Sequence, residues 1–202
     1  MSGEHVVAIV DAAAAAGLST AALLERAGFS VRLFESGDAF LASPRPGDVD
    51  CVVLDMGVGG KDGIGLLKAL AAWVAMPQVL ILTGPGTIPE AVAAMKLGAV
   101  DFLEKPYPAD SFLEAVTRAL ASGPNRKAGA RDAGAVARIG TLNNRQLQVL
   151  RGVIKGQPNK IIAYELSLSI RTVEAYRLQL LDKLGVRGTA ETVRLALAAG
   201  VI

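Results

Sequence analysis

One cysteine, one histidine and one tryptophan occur among 202 residues, and each scarcity closes off a class of chemistry. A single thiol excludes an internal disulfide and fits a reducing compartment. Cys51 lies inside an apolar run and reads as a buried, inert side chain. His5 precedes the first strand-like run with no partner near it in sequence, so it reads as a surface residue rather than a catalyst. Trp73 follows a helical stretch and is expected to pack at its end. Long hydrophobic runs are also missing. The most apolar stretch, Ala12–Leu24, is shorter than the roughly 18 residues of a membrane span and is flanked by Asp11 and Glu25. It predicts a soluble helix and no membrane association. No basic segment precedes it, as a secretory signal would require, and the expected location is cytoplasmic.

Charge is balanced over the whole chain and unbalanced within it. Residues 1–121 carry 8 Lys/Arg against 14 Asp/Glu, a net −6, whereas residues 122–202 carry 13 against 5, a net +8. Two regions of opposite sign imply different partners, and the basic one points to nucleic acid.

The acidic region is organised around Cys51-Val52-Val53-Leu54-Asp55. A short β-branched run closed by a glycine-rich turn suits a strand buried on both faces. Its last residue would emerge at the carboxyl edge of a parallel sheet, where open α/β sheets bind ligands. By spacing alone Asp55 is either a reactive carboxylate or the partner of a loop hydrogen bond.

In chain order, Val6–Val10 predicts a strand ending in Asp11, Leu18–Ala27 a helix closed by Gly28, and Ser30–Phe34 a second strand. A weak helix is expected near Asp38–Ala42. After the Cys51–Asp55 strand, Ile64, Leu66, Leu67 and Leu70 have helical spacing over Gly63–Ala72, with Asp62 placed to cap. Val79–Leu82 predicts a strand ending at Thr83, Pro89–Leu97 a helix, Asp101–Leu103 a strand leading to Lys105-Pro106, and Ala109–Leu120 a last helix. Five strand-helix units imply a doubly wound, five-stranded parallel sheet. That fold brings Asp11, Asp55, Thr83 and Lys105 to one edge. Two carboxylates, a hydroxyl and an ammonium there suit phosphoryl transfer to an aspartate; a polar rim without chemistry is the alternative.

The order Val10-Asp11, Leu54-Asp55, Leu82-Thr83-Gly84 and Gly98-Ala99-Val100-Asp101-Phe102-Leu103-Glu104-Lys105-Pro106 resembles the receiver domain of FixJ/NarL-type response regulators, over about residues 4–121. The resemblance implies that Asp55 is the phosphoacceptor. It makes Asp11, Thr83 and Lys105 the rest of the phosphorylation pocket, and Thr83 and Phe102 the switch residues. It also implies Mg²⁺ held by Asp11 and Asp55, and a sensor histidine kinase as partner. Two departures weaken the same metal site. Members of that family usually have a second acidic residue, a direct Mg²⁺ ligand, where this chain has Ala12. The usual Met-Pro-Gly is here Val58-Gly59-Gly60, next to the Gly57 carbonyl that would also hold the metal.

Residues 122–138 mix Ser, Gly, Pro, Arg and Ala without apolar periodicity and read as a basic linker; a helical stretch within Lys127–Arg138 is the alternative. Residues 139–202 are helical in pattern. Leu147, Val149, Leu150, Val153 and Ile154 predict a helix over Arg145–Lys155. Asn159 is expected to cap Lys160–Leu166, and a turn at Ser167–Ser169 leads to Arg171–Leu184, with Val173, Leu180, Leu181 and Leu184 inward. Thr189–Ala199 closes the region. A short helix, a turn and a longer helix form a small all-α helix-turn-helix domain. Lys160, Arg171, Arg177 and Lys183 lie off the apolar positions, where they would face either phosphates or solvent.

Asn159-Lys160-Ile161-Ile162-Ala163-Tyr164-Glu165-Leu166, then Arg171-Thr172-Val173-Glu174-Ala175-Tyr176-Arg177 and Lys183-Leu184-Gly185, is similar to the LuxR-type DNA-binding domain. The resemblance puts Thr172, Glu174, Ala175 and Leu178 at the major groove and Lys160, Arg171 and Arg177 at phosphates. Tyr176 stands where that family usually has histidine. Together the two resemblances imply a non-enzymatic transcription regulator that binds double-stranded DNA as a homodimer, since one helix-turn-helix reads a half-site. Ala12 implies a receiver phosphorylated weakly or not at all. The alternatives are a conventional regulator switched through Asp55, or a pseudo-receiver switched by a protein or small molecule. A phosphatase using Asp55 lacks an obvious second general acid.

Overall fold

The computed structural model describes residues 5–43, 48–57, 61–84, 88–121 and 132–201. They divide into two compact units, one containing a sheet and the other the C-terminal helices. In the first, five parallel strands, β1 (Val6–Val10), β2 (Ser30–Phe34), β3 (Cys51–Asp55), β4 (Gln78–Thr83) and β5 (Asp101–Glu104), lie in the order β2-β1-β3-β4-β5. Five helices connect or follow them: α1 (Ala14–Arg26), α2 (Gly37–Leu41), α3 (Lys61–Ala71), α4 (Ile88–Lys96) and α5 (Ala109–Ala121). Every residue of β3 and β4 is buried. Helices on both faces leave a central parallel strand no solvent side, which is why these strands read as unbroken apolar runs.

Alternation divides each strand between two layers. Val7, Ile9, Cys51, Val53, Leu80 and Leu82 point to one face, where they meet Ala21 and Leu24 of α1 and Phe112, Ala115, Val116 and Ala119 of α5. The α5 residues repeat at i, i+3, i+4 and i+7, one stripe of a helix. Gly17 brings α1 against the end of β1. A Cβ there would stand 2.8 Å from Leu33 Cδ1, so the leucine end would have to shift, while Asp11 Cβ at 3.6 Å would be in ordinary contact. Trp73 stacks on Phe40 at 6.2 Å between ring centroids, closing the end of α3 as expected. His5 is half exposed and contacts Asp50 Oδ2 at 3.3 Å. Burial raises the Cys51 thiol to about 12, with the charge of Asp50 adding to it, so the group is an unreactive thiol at neutral pH.

The helical unit contains α6 (Ala133–Gly140), α7 (Asn144–Ile154), α8 (Asn159–Leu166), α9 (Ile170–Leu184) and α10 (Thr189–Ala198). Val149, Leu150, Val153, Ile162, Val173, Leu180, Leu184, Val193 and Ala196 are buried; Leu181 is half-buried. Asn143 and Gln146 start α7 with a reciprocal capping box. Ser167 turns the chain through the left-handed region at φ 54°, and Ser169 Oγ accepts from the Thr172 N–H at 3.0 Å to start α9.

Three local expectations are corrected, and a helix left open in the linker is present. Helix α1 begins at Ala14 instead of Leu18, because the alanines are themselves strong helix formers. Helix α3 begins at Lys61, so Asp62 lies inside the first turn and not at the cap position. Helix α8 begins at Asn159, with Pro158 in the cap position and no side-chain cap; the Asn159 amide is engaged elsewhere. Within the stretch read as linker, Ala133–Gly140 is a helix, capped by Asp132 Oδ1 accepting from the Ala135 N–H at 3.0 Å. It buries only Ala135 and Ile139, too short a stripe to show as periodicity. The rest of that linker, and the Val58-Gly59-Gly60 loop, lie outside the described residues. Among the described residues no helix is long and apolar enough to cross a membrane.

Candidate functional site

The strand order reverses at β1 and β3, so the crevice expected of a doubly wound sheet opens beyond their carboxyl ends. Val10 pairs with Leu54 in the register, which sets the next residues, Asp11 and Asp55, side by side. Asp55 pairs with Leu82, and Thr83 with Glu104. The Lys105 N–H then donates to the Thr83 carbonyl at 2.8 Å, bringing the lysine round to the carboxylates. All four expected pocket residues therefore lie at one edge.

Asp11, Asp55 and Thr83 are buried, at 2%, 6% and 0% exposure. Lys105 Nζ donates to Asp55 Oδ2 at 2.8 Å and stands 3.7 Å from Asp11 Oδ2. The Gly57 N–H donates to Asp55 Oδ1 at 3.0 Å, and the Ala13 N–H to Asp11 Oδ1 at 2.8 Å. Asp55 thus has the loop hydrogen bond and the placement at the carboxyl edge of the sheet at once. Among the described residues Asp11 Oδ2 has no hydrogen-bond donor; Lys105 reaches it as a charge but not as a bonded partner. Burial works to lower the Lys105 pKa, but the hydrogen bond and charge of Asp55, followed by the charge of Asp11, outweigh it and the net direction is upward. The Thr83 hydroxyl donates to the Gly84 carbonyl at 3.3 Å. Phe102 is 1% exposed, turned into the domain.

A divalent cation here would have Asp11, Asp55 and the Gly57 carbonyl as its donors. The unbonded Asp11 Oδ2 is suited to such a role, but the position after Asp11 offers an exposed methyl, Ala12. Among the described residues no three His, Cys, Asp or Glu side chains gather to hold a metal. The pocket among the described residues is a two-carboxylate site bridged by one ammonium.

In the helical unit the expected DNA residues separate into two groups. Lys160, Arg171, Glu174, Ala175 and Leu178 are exposed, and Thr172 is half-buried, its Oγ1 2.7 Å from Ser169 Oγ. Arg177 instead turns inward. Its Nη1 donates to Asn159 Oδ1 at 2.8 Å and its Nη2 to Thr189 Oγ1 at 3.0 Å, so one guanidinium ties α9 to the starts of α8 and α10. Lys183 likewise donates to the Thr141 carbonyl at 3.3 Å and to Gln146 Oε1 at 3.2 Å. Thr189 and Gln146 were not singled out from the sequence, and Asn159 was expected only as a helix cap. Their partners lie 12 to 37 residues away, and no local spacing marks such pairs.

Comparison with known proteins matches both units. Residues 7–117 match the family described as response regulator receiver domain, and residues 140–196 that described as bacterial regulatory proteins, luxR family. The chain is 41% identical to the transcriptional regulatory protein FixJ of Bradyrhizobium diazoefficiens, covering 100% of this chain and 99% of the relative. It is 38% identical to FixJ of Rhizobium meliloti, covering 98% and 97%. Among solved structures, full-length FixJ from B. japonicum aligns with a TM-score of 0.55 at 41% identity over 98% of each chain. The response regulator StyR aligns at 0.54 and 34% identity, over 96% of this chain and 98% of that one.

Proposed function

We propose a mode of action from one premise: the chain belongs to the response regulators, joining a receiver domain to a luxR-family DNA-binding domain. Members are DNA-binding transcriptional regulators rather than enzymes, and the receiver implies a sensor kinase as partner. Our reading is a cytoplasmic regulator that binds duplex DNA as a homodimer through α9 and whose receiver accepts a phosphoryl group poorly or not at all. The receiver extends over residues 1–121 and the DNA-binding domain over residues 139–202.

The observation that carries the receiver part is the charge set at the sheet edge. Asp11 and Asp55 share a single ammonium, Lys105, and Ala12 stands where a third carboxylate would complete the usual Mg²⁺ site. Asp55 is the nucleophile, Lys105 the group that would pair a phosphoryl oxygen, and Thr83 the hydroxyl donor next to it. With two carboxylates and one ammonium the pocket is already net negative, and an incoming phosphoryl group adds more charge of that sign. Mg²⁺ would be held by Asp11, Asp55 and the Gly57 carbonyl, and when bound would offset this negative charge. It dehydrates reluctantly and depends on one or two carboxylates, so the loss of one ligand at Ala12 lowers its occupancy.

The test is incubation of the full chain with Mg²⁺ and acetyl phosphate, read by intact mass. Little or no mass gain is expected for the wild type, DNA affinity unchanged by the donor, and both Mg²⁺ affinity and mass gain for Ala12→Asp. Rapid Mg²⁺-dependent modification of the wild type, lost in Asp55→Ala, would overturn the proposal and leave a conventional Asp55 switch.

A further inference from the structure

We propose that Leu178, with Ala175 beside it, reads the 5-methyl group of a thymine in the major groove and is a specificity-determining residue of this regulator. The inference rests on DNA binding through α9. Arg171, Glu174, Ala175 and Leu178 repeat at i, i+3, i+4 and i+7, a single stripe along a helix, and all four are exposed. The rotation of α9 about its axis is fixed from the opposite side. Val173, Leu180 and Leu184 are buried, and Arg177 is held by Asn159 of α8 and Thr189 of α10. A residue placed next to that clasp is turned about 100° from it, which leaves Leu178 pointing away from the domain at 68% exposure.

An isolated surface leucine needs no explanation; its company on the stripe does. Arg171 at the N-terminal end suits a phosphate. Glu174, one turn on, would be repelled by phosphates, so the stripe past it suits base edges, where a carboxylate can accept from the cytosine amino group. Leu178, a turn beyond Glu174, has no polar atom to offer a base edge. The apolar feature that the major groove presents is the thymine methyl, and the Ala175 methyl would widen the same dry contact.

The experiment begins with the full-length protein and a random duplex pool, from which bound sequences are selected. In the enriched duplex each thymine is then replaced singly by deoxyuridine, which removes only the methyl, and dissociation constants are measured at fixed salt. At one or two thymines the replacement is expected to weaken the wild type about fourfold, the ratio for burying one methyl-sized group. Leu178→Ala is expected to weaken binding to the thymine duplex by a similar factor and to erase the thymine–uracil difference. Its circular dichroism should match the wild type because the side chain is exposed. Uniform binding to every deoxyuridine duplex, or a thymine–uracil ratio unchanged in Leu178→Ala, would overturn the inference while leaving DNA binding intact. Failure of the full chain to bind any duplex would overturn the DNA-binding reading itself, and this inference with it.

Discussion

The sheet edge and α9 place polar groups by different means. At the edge, β1, β3, β4 and the segment after β5 each deliver one group, so Asp11, Asp55, Thr83 and Lys105 meet although Asp11 and Lys105 are far apart in the chain. Nearly every charge there is already engaged by another member of the site. On α9 the polar groups come from one short segment and diverge. Arg177 and Lys183 are used to hold the domain together, while Arg171 and Glu174 are left to solvent. A parallel sheet makes function by convergence, and removing one group there strands the others. A helix sorts its residues by face, so neighbours in sequence have unrelated costs.

Substitutions ranked by cost sharpen this contrast. Lys105→Met leaves the buried Asp11 and Asp55 carboxylates without their ammonium. The expected loss is about 3 kcal/mol of stability, as for breaking a buried pair, measured by urea unfolding at pH 7. A loss under about 0.5 kcal/mol would mean that solvent screens the pair as it would a surface one. The same lysine sets a pH dependence. Its pKa is raised in the folded state from the ordinary 10.5, so its contribution is fully present below that value and is lost as pH rises through the raised one. The wild type should lose stability in that alkaline window, and Lys105→Met should lack this part of the decline.

Next in size is Arg177→Ala, expected to cost about 2 kcal/mol because two hydrogen bonds from a charged donor disappear. Arg177→Lys should restore little, since an ammonium cannot span both acceptors as the planar fork does. The expected salt slope of DNA binding is unchanged in Arg177→Ala; a slope shallower by about 0.9 would instead make this arginine a phosphate contact. Ser169→Ala removes the cap of α9, and a thermal or urea melt should show about 1 kcal/mol lost. Smallest in stability is Arg171→Ala, within about 0.5 kcal/mol of wild type. Its salt slope should nonetheless fall by about 0.9, the reverse of the Arg177 pattern. If both arginines gave the same pattern, the division of α9 into a clasping and an outward face would fail.

Much of the fold was legible because its signals are local. The apolar runs of Val6–Val10 and Cys51–Asp55 end where the strands end, and the carboxylates that close them mark the edge of the sheet. Helix starts were less legible. Asp62 and Asn159 both looked like caps, and both lie inside their helices. A cap residue is known by the direction of its side chain, and Asn159 is drawn to a guanidinium 18 residues away. The short α6 was hidden because two buried positions do not make a periodicity.

By itself the sequence determined which residues alternate inward, that five strands run parallel, and that Asp11, Asp55, Thr83 and Lys105 share an edge, since period and chain order suffice for each. Tertiary structure alone decided that one ammonium bridges two carboxylates and that Arg177 is tied back to α8 and α10 while Leu178 beside it faces outward. Those outcomes depend on distances between residues far apart in the chain. Only the packed sheet and the docking of α8 and α10 on α9 set such distances.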